Sequence, residues 1–139
     1  MPKTIEDISV LIIDDNQQAI RLIKMMLEDV GITRIATAKD GNDGWEAIEK
    51  AGAGLDVVIS DWNMPGMTGI ELLKKIRSNG KNLPFIMITG RDTVESTVEA
   101  ATSGVSFYLP KPFGPEKLVN KILQATGVKV VKDPPPKIG

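Results

Sequence analysis

The chain of 139 residues contains no cysteine and no histidine. Without cysteine it forms no disulfide and no thiolate metal site, which suits the reducing cytoplasm. Without histidine it cannot carry a Ser-His-Asp triad, a histidine-ligated zinc or a phosphohistidine of its own. The two absences therefore exclude several common kinds of active site and metal centre.

Long apolar runs and an excess of either charge are also missing. No stretch approaches the roughly 18 apolar residues of a membrane span, and the first residues lack the basic-then-apolar layout of a signal peptide. The net charge is −1, which gives no electrostatic footprint for nucleic acid or an anionic membrane. We therefore expect a single-domain cytoplasmic protein that binds neither nucleic acid nor membranes.

Apolar runs of strand length alternate with longer segments of helical spacing. The strand-like runs cover residues 9–13, 33–38, 55–60, 83–89 and 106–109. The first, third and fourth are almost continuously apolar, as expected when both faces of a sheet are covered. This alternation predicts an α/β fold built on a doubly wound, five-stranded parallel sheet with right-handed crossovers.

Three of the predicted helices carry specific expectations. The second is predicted to be short, from Trp45 and Ile48. The third is expected to expose three cations, Lys74, Lys75 and Arg77. The fourth is marked by apolar residues at helical spacing, Val94, Val98 and Ala101. Asp92 or Thr93 is the expected cap of this fourth helix, and Gly104 is its expected end.

Carboxylates follow two of the apolar strands. The first strand runs into Asp14 and Asp15, and the third runs into Asp61. Taken alone, each acid is explained as a turn residue or a helix cap. Because the carboxyl ends of parallel strands share the edge where ligands bind, the conjunction instead predicts a cluster of three carboxylates. A hard divalent cation relieves their repulsion, and oxygen ligands suit Mg²⁺.

Two further residues fall at the same edge. Thr89 ends the fourth strand and Lys111 follows the fifth. Alone, they are an ordinary strand former and a solvent-exposed lysine. Beside a carboxylate cluster they supply a hydroxyl donor and a cation, which together with a metal are the groups needed to hold a phosphoryl group.

Together these residues resemble the signature of response-regulator receiver domains. The matching motifs are Asp14-Asp15, Asp61 within the run Asp-Trp-Asn-Met-Pro-Gly, Thr89-Gly90 and Lys111-Pro112-Phe113. The resemblance covers roughly residues 8–127, and the single-domain chemotaxis regulators are the most similar group within the family. It implies a flavodoxin-like (βα)5 fold with strand order 2-1-3-4-5, a receiver domain over residues 1–127 and a proline-containing tail over residues 128–139.

The resemblance also implies a metal site and a phosphoryl acceptor. Asp61 would accept a phosphoryl group from a phosphohistidine on a partner. Mg²⁺ would bind Asp15, Asp61 and the backbone carbonyl of Asn63. Asp14 would help through water. Carboxylates do act as phosphoryl acceptors, so the implied chemistry agrees with the residues present.

The remaining implied roles concern switching. Lys111 would pair with the phosphoryl oxygens, and Thr89 would donate a hydrogen bond to one of them. Tyr108 aligns with the aromatic switch residue, whose rotamer follows the threonine position. The Lys111–Pro112 bond is expected to be cis. The chain would thus be a switch that catalyses only its own phosphorylation and dephosphorylation.

Several alternatives compete with this interpretation. An aspartate-nucleophile phosphohydrolase of the haloacid-dehalogenase kind needs a second acid where Asn63 stands. A flavodoxin-like nucleotide binder needs a first loop rich in Ser, Thr and Gly, whereas this loop is acidic. A pseudo-receiver used only as a binding module would not need the intact acid set.

Partners follow from the resemblance and from the length of the chain. A histidine kinase is the expected phosphodonor, and a phosphatase is a further possible partner. The tail is too short for a helix-turn-helix domain, so output is expected through binding a protein such as the flagellar motor switch. A phosphate sink, or a regulator of another pathway, stays an alternative. We expect a monomer.

Overall fold

Five parallel strands form the centre of the computed structural model, which describes residues 4–90 and 94–128. The strands are β1 Ser9–Ile13, β2 Arg34–Ala38, β3 Val57–Asp61, β4 Phe85–Thr89 and β5 Phe107–Pro110. Their order in the sheet is β2-β1-β3-β4-β5, which confirms the predicted order and fold class. Asp61 ends β3, as predicted, and the strand extends one residue beyond the predicted range of 55–60.

Helices cover both faces of the sheet. They are α1 Gln17–Glu28, α2 Gly41–Ala51, α3 Gly69–Ser78, α4 Val94–Thr102 and α5 Pro115–Thr126. One buried cluster joins β1, β3 and β4 to α1 and α5, and a second joins the other sheet face to α2 and α3. The β-strands are thus covered on both faces, as their continuous apolar character predicts.

Side-chain caps fix where three of the helices begin. Asn16 accepts hydrogen bonds from the backbone N–H groups of Gln18 and Ala19 and so starts α1. Asp40 caps α2, while Thr68 and Glu71 form a reciprocal capping box at α3. The caps start α1 and α2 within a few residues of β1 and β2, and α3 after the loop that follows β3. Helix α1 therefore begins beside the acidic residues.

Two expectations about helices are wrong. The second helix is not short, because α2 spans 11 residues. The predicted apolar face of α4 is not the buried one: Val98 is 54% exposed and Ala101 is exposed, whereas Ala100 is fully buried. Valine and alanine occur on several sides of α4, so hydrophobic spacing does not define one face there.

The predicted polar face of α3 is only partly correct. Lys74 is exposed, but the Lys75 ammonium lies 4.7 Å from the centroid of the Trp45 ring. Arg77 is half-buried and donates three hydrogen bonds to backbone carbonyls. Long cationic side chains pack their stems on the protein, which a simple polar-face interpretation overlooks.

The predicted cap residues Asp92 and Thr93, and residues 129–139 of the predicted tail, lie outside the described residues. The predicted domain boundary at residue 127 stays a prediction. Within residues 4–90 and 94–128, no helix is both long and apolar enough to cross a membrane.

Candidate functional site

The carboxyl ends of β1 and β3 bring three carboxylates together. The two strands pair directly, with Ile13 opposite Ser60, so Asp14 and Asp61 follow at neighbouring positions. Both side chains are buried, whereas Asp15 is exposed. One carboxylate oxygen from each of Asp14, Asp15 and Asp61 lies within 4.8 Å of the others. The structure thus shows the acidic cluster that the strand ends predict.

Within this cluster, the carboxylate of Asp14 is the most buried and is only partly hydrogen-bonded. One of its oxygens, Oδ1, accepts a hydrogen bond from the Asn16 backbone N–H at 2.9 Å. The other, Oδ2, is buried and accepts no hydrogen bond from residues 4–90 or 94–128. Burial raises the pKa of Asp14, and the nearby charges of Asp61 and Asp15 add to that rise. The site therefore stores unfavourable electrostatic energy that a cation would relieve.

Lys111 supplies positive charge beside two of these acids. Its Nζ lies 3.4 Å from Asp61 Oδ1 and 3.8 Å from Asp14 Oδ2. The backbone N–H of Lys111 donates to the Thr89 carbonyl at 2.8 Å, which fixes this residue to the end of β4. The Lys111–Pro112 peptide bond is cis, as expected. Thr89 itself is fully buried at the same edge.

The donor set fits Mg²⁺. In the part of the chain that the structure describes, three carboxylates lie beside the Lys111 ammonium, and the buried Oδ2 of Asp14 lacks a hydrogen-bond donor. Oxygen ligands of this kind suit Mg²⁺, whereas sites for softer metals use nitrogen and sulfur. Asn63 is exposed two residues beyond Asp61, and the ligand role of its carbonyl stays a prediction.

The backbone around Asp61 is held by groups that the sequence did not single out. The Trp62 backbone N–H donates to Asp61 Oδ1 at 2.9 Å, and the Ser60 hydroxyl donates to the Asp61 carbonyl at 3.0 Å. A side chain at Gly69 would collide with that same carbonyl. Only glycine therefore lets α3 begin so close to the acid. The Thr-Gly pair at residues 68–69 was the available signal.

An apolar cavity of about 240 Å³ adjoins the acidic cluster. It lies between α1 and the segment that follows β5, and its lining includes Leu22, Met26, Lys111 and Phe113. The exposed side chain of Leu22 borders it. Lys111 thus separates a polar site from an apolar surface.

Comparison with known proteins assigns this arrangement to a family. Residues 10–123 match the model described as the response regulator receiver domain. The chain is 40% identical over 115 residues to chemotaxis protein CheY of Pseudomonas aeruginosa, which covers 81% of this chain and 91% of that protein.

Solved structures agree with the assignment. Chemotaxis protein CheY4 of Vibrio cholerae gives a TM-score of 0.77 at 34% identity, covering 85% of this chain and 98% of that one. The CheX-CheY-BeF3-Mg²⁺ complex from Borrelia burgdorferi gives a TM-score of 0.81 at 26% identity, covering 88% of this chain and 90% of that one. The chain belongs to the response regulator receiver family. Its similarity to CheY proteins supports a chemotaxis-type regulator, a signalling switch rather than an enzyme in the usual sense.

Proposed function

We propose that this chain accepts a phosphoryl group on Asp61 from a histidine kinase and thereby switches its binding to a partner. The observation that carries the proposal is the position of Asp61. It ends β3 in a cluster of three carboxylates, with the Lys111 ammonium 3.4 Å from its Oδ1. A carboxylate with a cation beside it can accept a phosphoryl group that brings further negative charge.

The chemistry requires little beyond positioning and charge neutralisation. An Asp61 oxygen attacks the phosphorus of the kinase phosphohistidine, a P–O bond forms, and the P–N bond breaks as the imidazole leaves. Hydrogen bonds from Trp62 N–H and Lys111 Nζ to Oδ1 orient the Asp61 carboxylate before the reaction. Water later hydrolyses the acyl phosphate and restores the carboxylate.

Asp14, Asp15 and Asp61, with the carbonyl of Asn63, would hold Mg²⁺. When bound, this ion neutralises charge on the phosphoryl oxygens. Asp14 Oδ2 supports the assignment, since this buried oxygen lies 3.8 Å from Lys111 Nζ but accepts no hydrogen bond from the described residues, which leaves it available to a cation or to its water. The Borrelia burgdorferi neighbour is a complex that contains both Mg²⁺ and BeF3.

Output would follow from a change in shape. Thr89 would donate a hydrogen bond to the phosphoryl group, and Tyr108 would change rotamer in response. Similarity to CheY proteins favours a cytoplasmic chemotaxis role with the flagellar motor switch as target, while a phosphate sink is the second candidate. The CheX-CheY neighbour favours a phosphatase as a further partner.

Mass spectrometry of the intact protein tests the acceptor. We expect acetyl phosphate with Mg²⁺ to add one phosphoryl mass to the wild type and none to Asp61→Asn. Asp56→Asn is the matched control, because Asp56 immediately precedes β3, at the other end of the strand from Asp61, where its carboxylate accepts a hydrogen bond from the Ser9 backbone N–H at 2.8 Å. Equal labelling of Asp61→Asn and wild type would show that another residue is the acceptor.

A further inference from the structure

Trp62 links the acidic site to Tyr108 of β5. Its backbone N–H donates to Asp61 Oδ1 at 2.9 Å and to the Ile88 carbonyl at 3.0 Å. Its own carbonyl accepts a hydrogen bond from Gly69 N–H at 2.9 Å. Contacts from β4 and α3 thus hold the backbone of Trp62 on both sides, so its side chain starts from a fixed position.

The indole ring meets the one tyrosine of the chain. The centroids of the Trp62 and Tyr108 rings lie 6.5 Å apart, and the ring planes meet at 83°. Trp62 is only 4% exposed, whereas Tyr108 is half-buried. An edge-to-face aromatic pair of this geometry changes an equilibrium constant by about 2- to 12-fold beyond the effect of burial.

We propose that Trp62 is a positioning residue for Tyr108 and stabilises the orientation that Tyr108 has in this structure. The inference rests on the proposed function, in which Tyr108 changes rotamer when Asp61 is phosphorylated. Thr89 would then not be the only residue that sets the equilibrium of the switch. The fixed Trp62 ring would favour the Tyr108 rotamer of the unphosphorylated protein, and the half-buried Tyr108 side chain would change rotamer when the switch operates.

Substitution of the indole leaves the acceptor untouched. The contact of Trp62 with Asp61 uses the backbone N–H, which Trp62→Leu retains. The sequence also provides a matched control, since its other tryptophan, Trp45, lies on α2 beside the Lys75 ammonium. Trp45→Leu removes a ring of the same type that lies against the Lys75 ammonium, whereas Trp62 forms the edge-to-face pair with Tyr108.

The rotamer of Tyr108 is measured directly by NMR. Three-bond couplings from Tyr108 Cγ to the backbone nitrogen and carbonyl carbon give its χ1 populations without interference from ring currents. We expect Trp62→Leu, in the absence of any phosphoryl mimic, to raise the ratio of minor to major rotamer by about 2- to 12-fold. Trp62→Phe should return the ratio toward the wild-type value, and Trp45→Leu should leave it unchanged.

Linkage provides a second readout. If Trp62→Leu populates the switched state, the apparent affinity for beryllofluoride with Mg²⁺ should rise by the same factor. Unchanged couplings and unchanged beryllofluoride affinity in Trp62→Leu would overturn the proposal. Equal changes in Trp45→Leu would overturn it as well, since they would reflect general loosening of the core.

A reciprocal variant covers the case in which Trp62→Leu does not fold. In a Trp45→Phe background, Trp62 is the only tryptophan. Tyr108→Leu should then change its emission, and an unchanged spectrum contradicts the contact. Failure of the proposed function is separate: a wild type that neither binds beryllofluoride nor gains phosphoryl mass refutes it, whereas the mimic-free couplings still test the aromatic contact.

Discussion

Two buried or half-buried charges lie at opposite ends of the same sheet, and the structure treats them differently. Near the amino ends of β4 and β5, Arg77 donates Nε–H to the Gly104 carbonyl at 3.0 Å and Nη1–H to the carbonyls of Lys81 and Leu83 at 3.0 and 2.8 Å. At the carboxyl ends, Asp14 keeps one oxygen without a hydrogen bond and faces two other acids.

Burial disfavours both charges, since it lowers the pKa of Arg77 and raises that of Asp14. The cost is offset more fully for Arg77, whose planar guanidinium donates to three backbone carbonyls in two segments. Asp14 has the Asn16 N–H and the Lys111 ammonium beside it, but one of its oxygens accepts no hydrogen bond from the described residues. At the end of the sheet with Arg77, the protein's own carbonyls therefore stabilise the half-buried charge without a ligand. At the end with Asp14, three carboxylates share one lysine, and a divalent cation would offset their remaining repulsion, which is the property expected of a binding site.

The largest predicted effect is on stability and tests the hydrogen bonds of Arg77. Arg77→Met should lower the free energy of unfolding by about 2–4 kcal/mol, because three carbonyls lose a charged donor. Urea denaturation measures the loss. Lys74→Met, an exposed cation on the same helix, should change stability by less than about 0.5 kcal/mol. If Arg77→Met loses no more free energy of unfolding than Lys74→Met, the hydrogen bonds of Arg77 do not stabilise this end of the sheet.

The next effect is on Mg²⁺ affinity and tests the carboxylate cluster. Asp15→Ala should weaken Mg²⁺ binding at least about tenfold, since it removes one of three carboxylates. Trp62 adjoins Asp61, so its fluorescence in a Trp45→Phe background should follow a Mg²⁺ titration. Asp29→Ala, an exposed acid just beyond the other end of α1, is the control. An unchanged titration in Asp15→Ala would place the metal elsewhere.

The smallest effect tests the stored repulsion. Asp14→Asn should raise the stability of the metal-free protein at pH 7 by about 1–2 kcal/mol, because a neutral amide replaces a buried, poorly partnered charge. The folded-state pKa of Asp14 lies above the ordinary 3.8, so the folded state favours the protonated form. The gain should therefore be near zero below about pH 4 and grow as the pH rises through the folded-state pKa.

Thermal or urea unfolding with a chelator present, repeated across this pH range, measures the gain. Adding Mg²⁺ should narrow the difference, because the wild type binds the ion more tightly. A variant that is less stable than the wild type at pH 7 would mean that the Lys111 ion pair and the Asn16 hydrogen bond stabilise the Asp14 carboxylate more than burial destabilises it.

Local patterns predicted most of the fold and the acids of the site. Continuous apolar runs defined the strands, and the parallel arrangement placed their carboxyl ends together, so Asp14, Asp15 and Asp61 were found from position alone. Spacing failed at α4, where Ala100 is buried and Val98 is exposed. Small and β-branched residues on several sides of a helix give periodicity too little contrast to choose a face.

Contacts between distant segments could not be predicted. Arg77 was expected to be part of a solvent-facing surface, yet its Nε–H bonds a carbonyl 27 residues away. The close approach of Gly69 to the Asp61 carbonyl and the Trp62–Tyr108 ring contact are of the same kind. Each depends on the exact placement of neighbouring elements rather than on any pattern along the chain.

The sequence by itself determined the order of strands and helices and the chemical types gathered at one edge of the sheet. It did so because side-chain periodicity and strand direction are local properties. Only the tertiary structure decided which charge keeps its partners and which does not. Arg77 is satisfied and Asp14 is not because hydrogen bonding and burial depend on distances between segments, and those distances exist only once the sheet and its helices have packed.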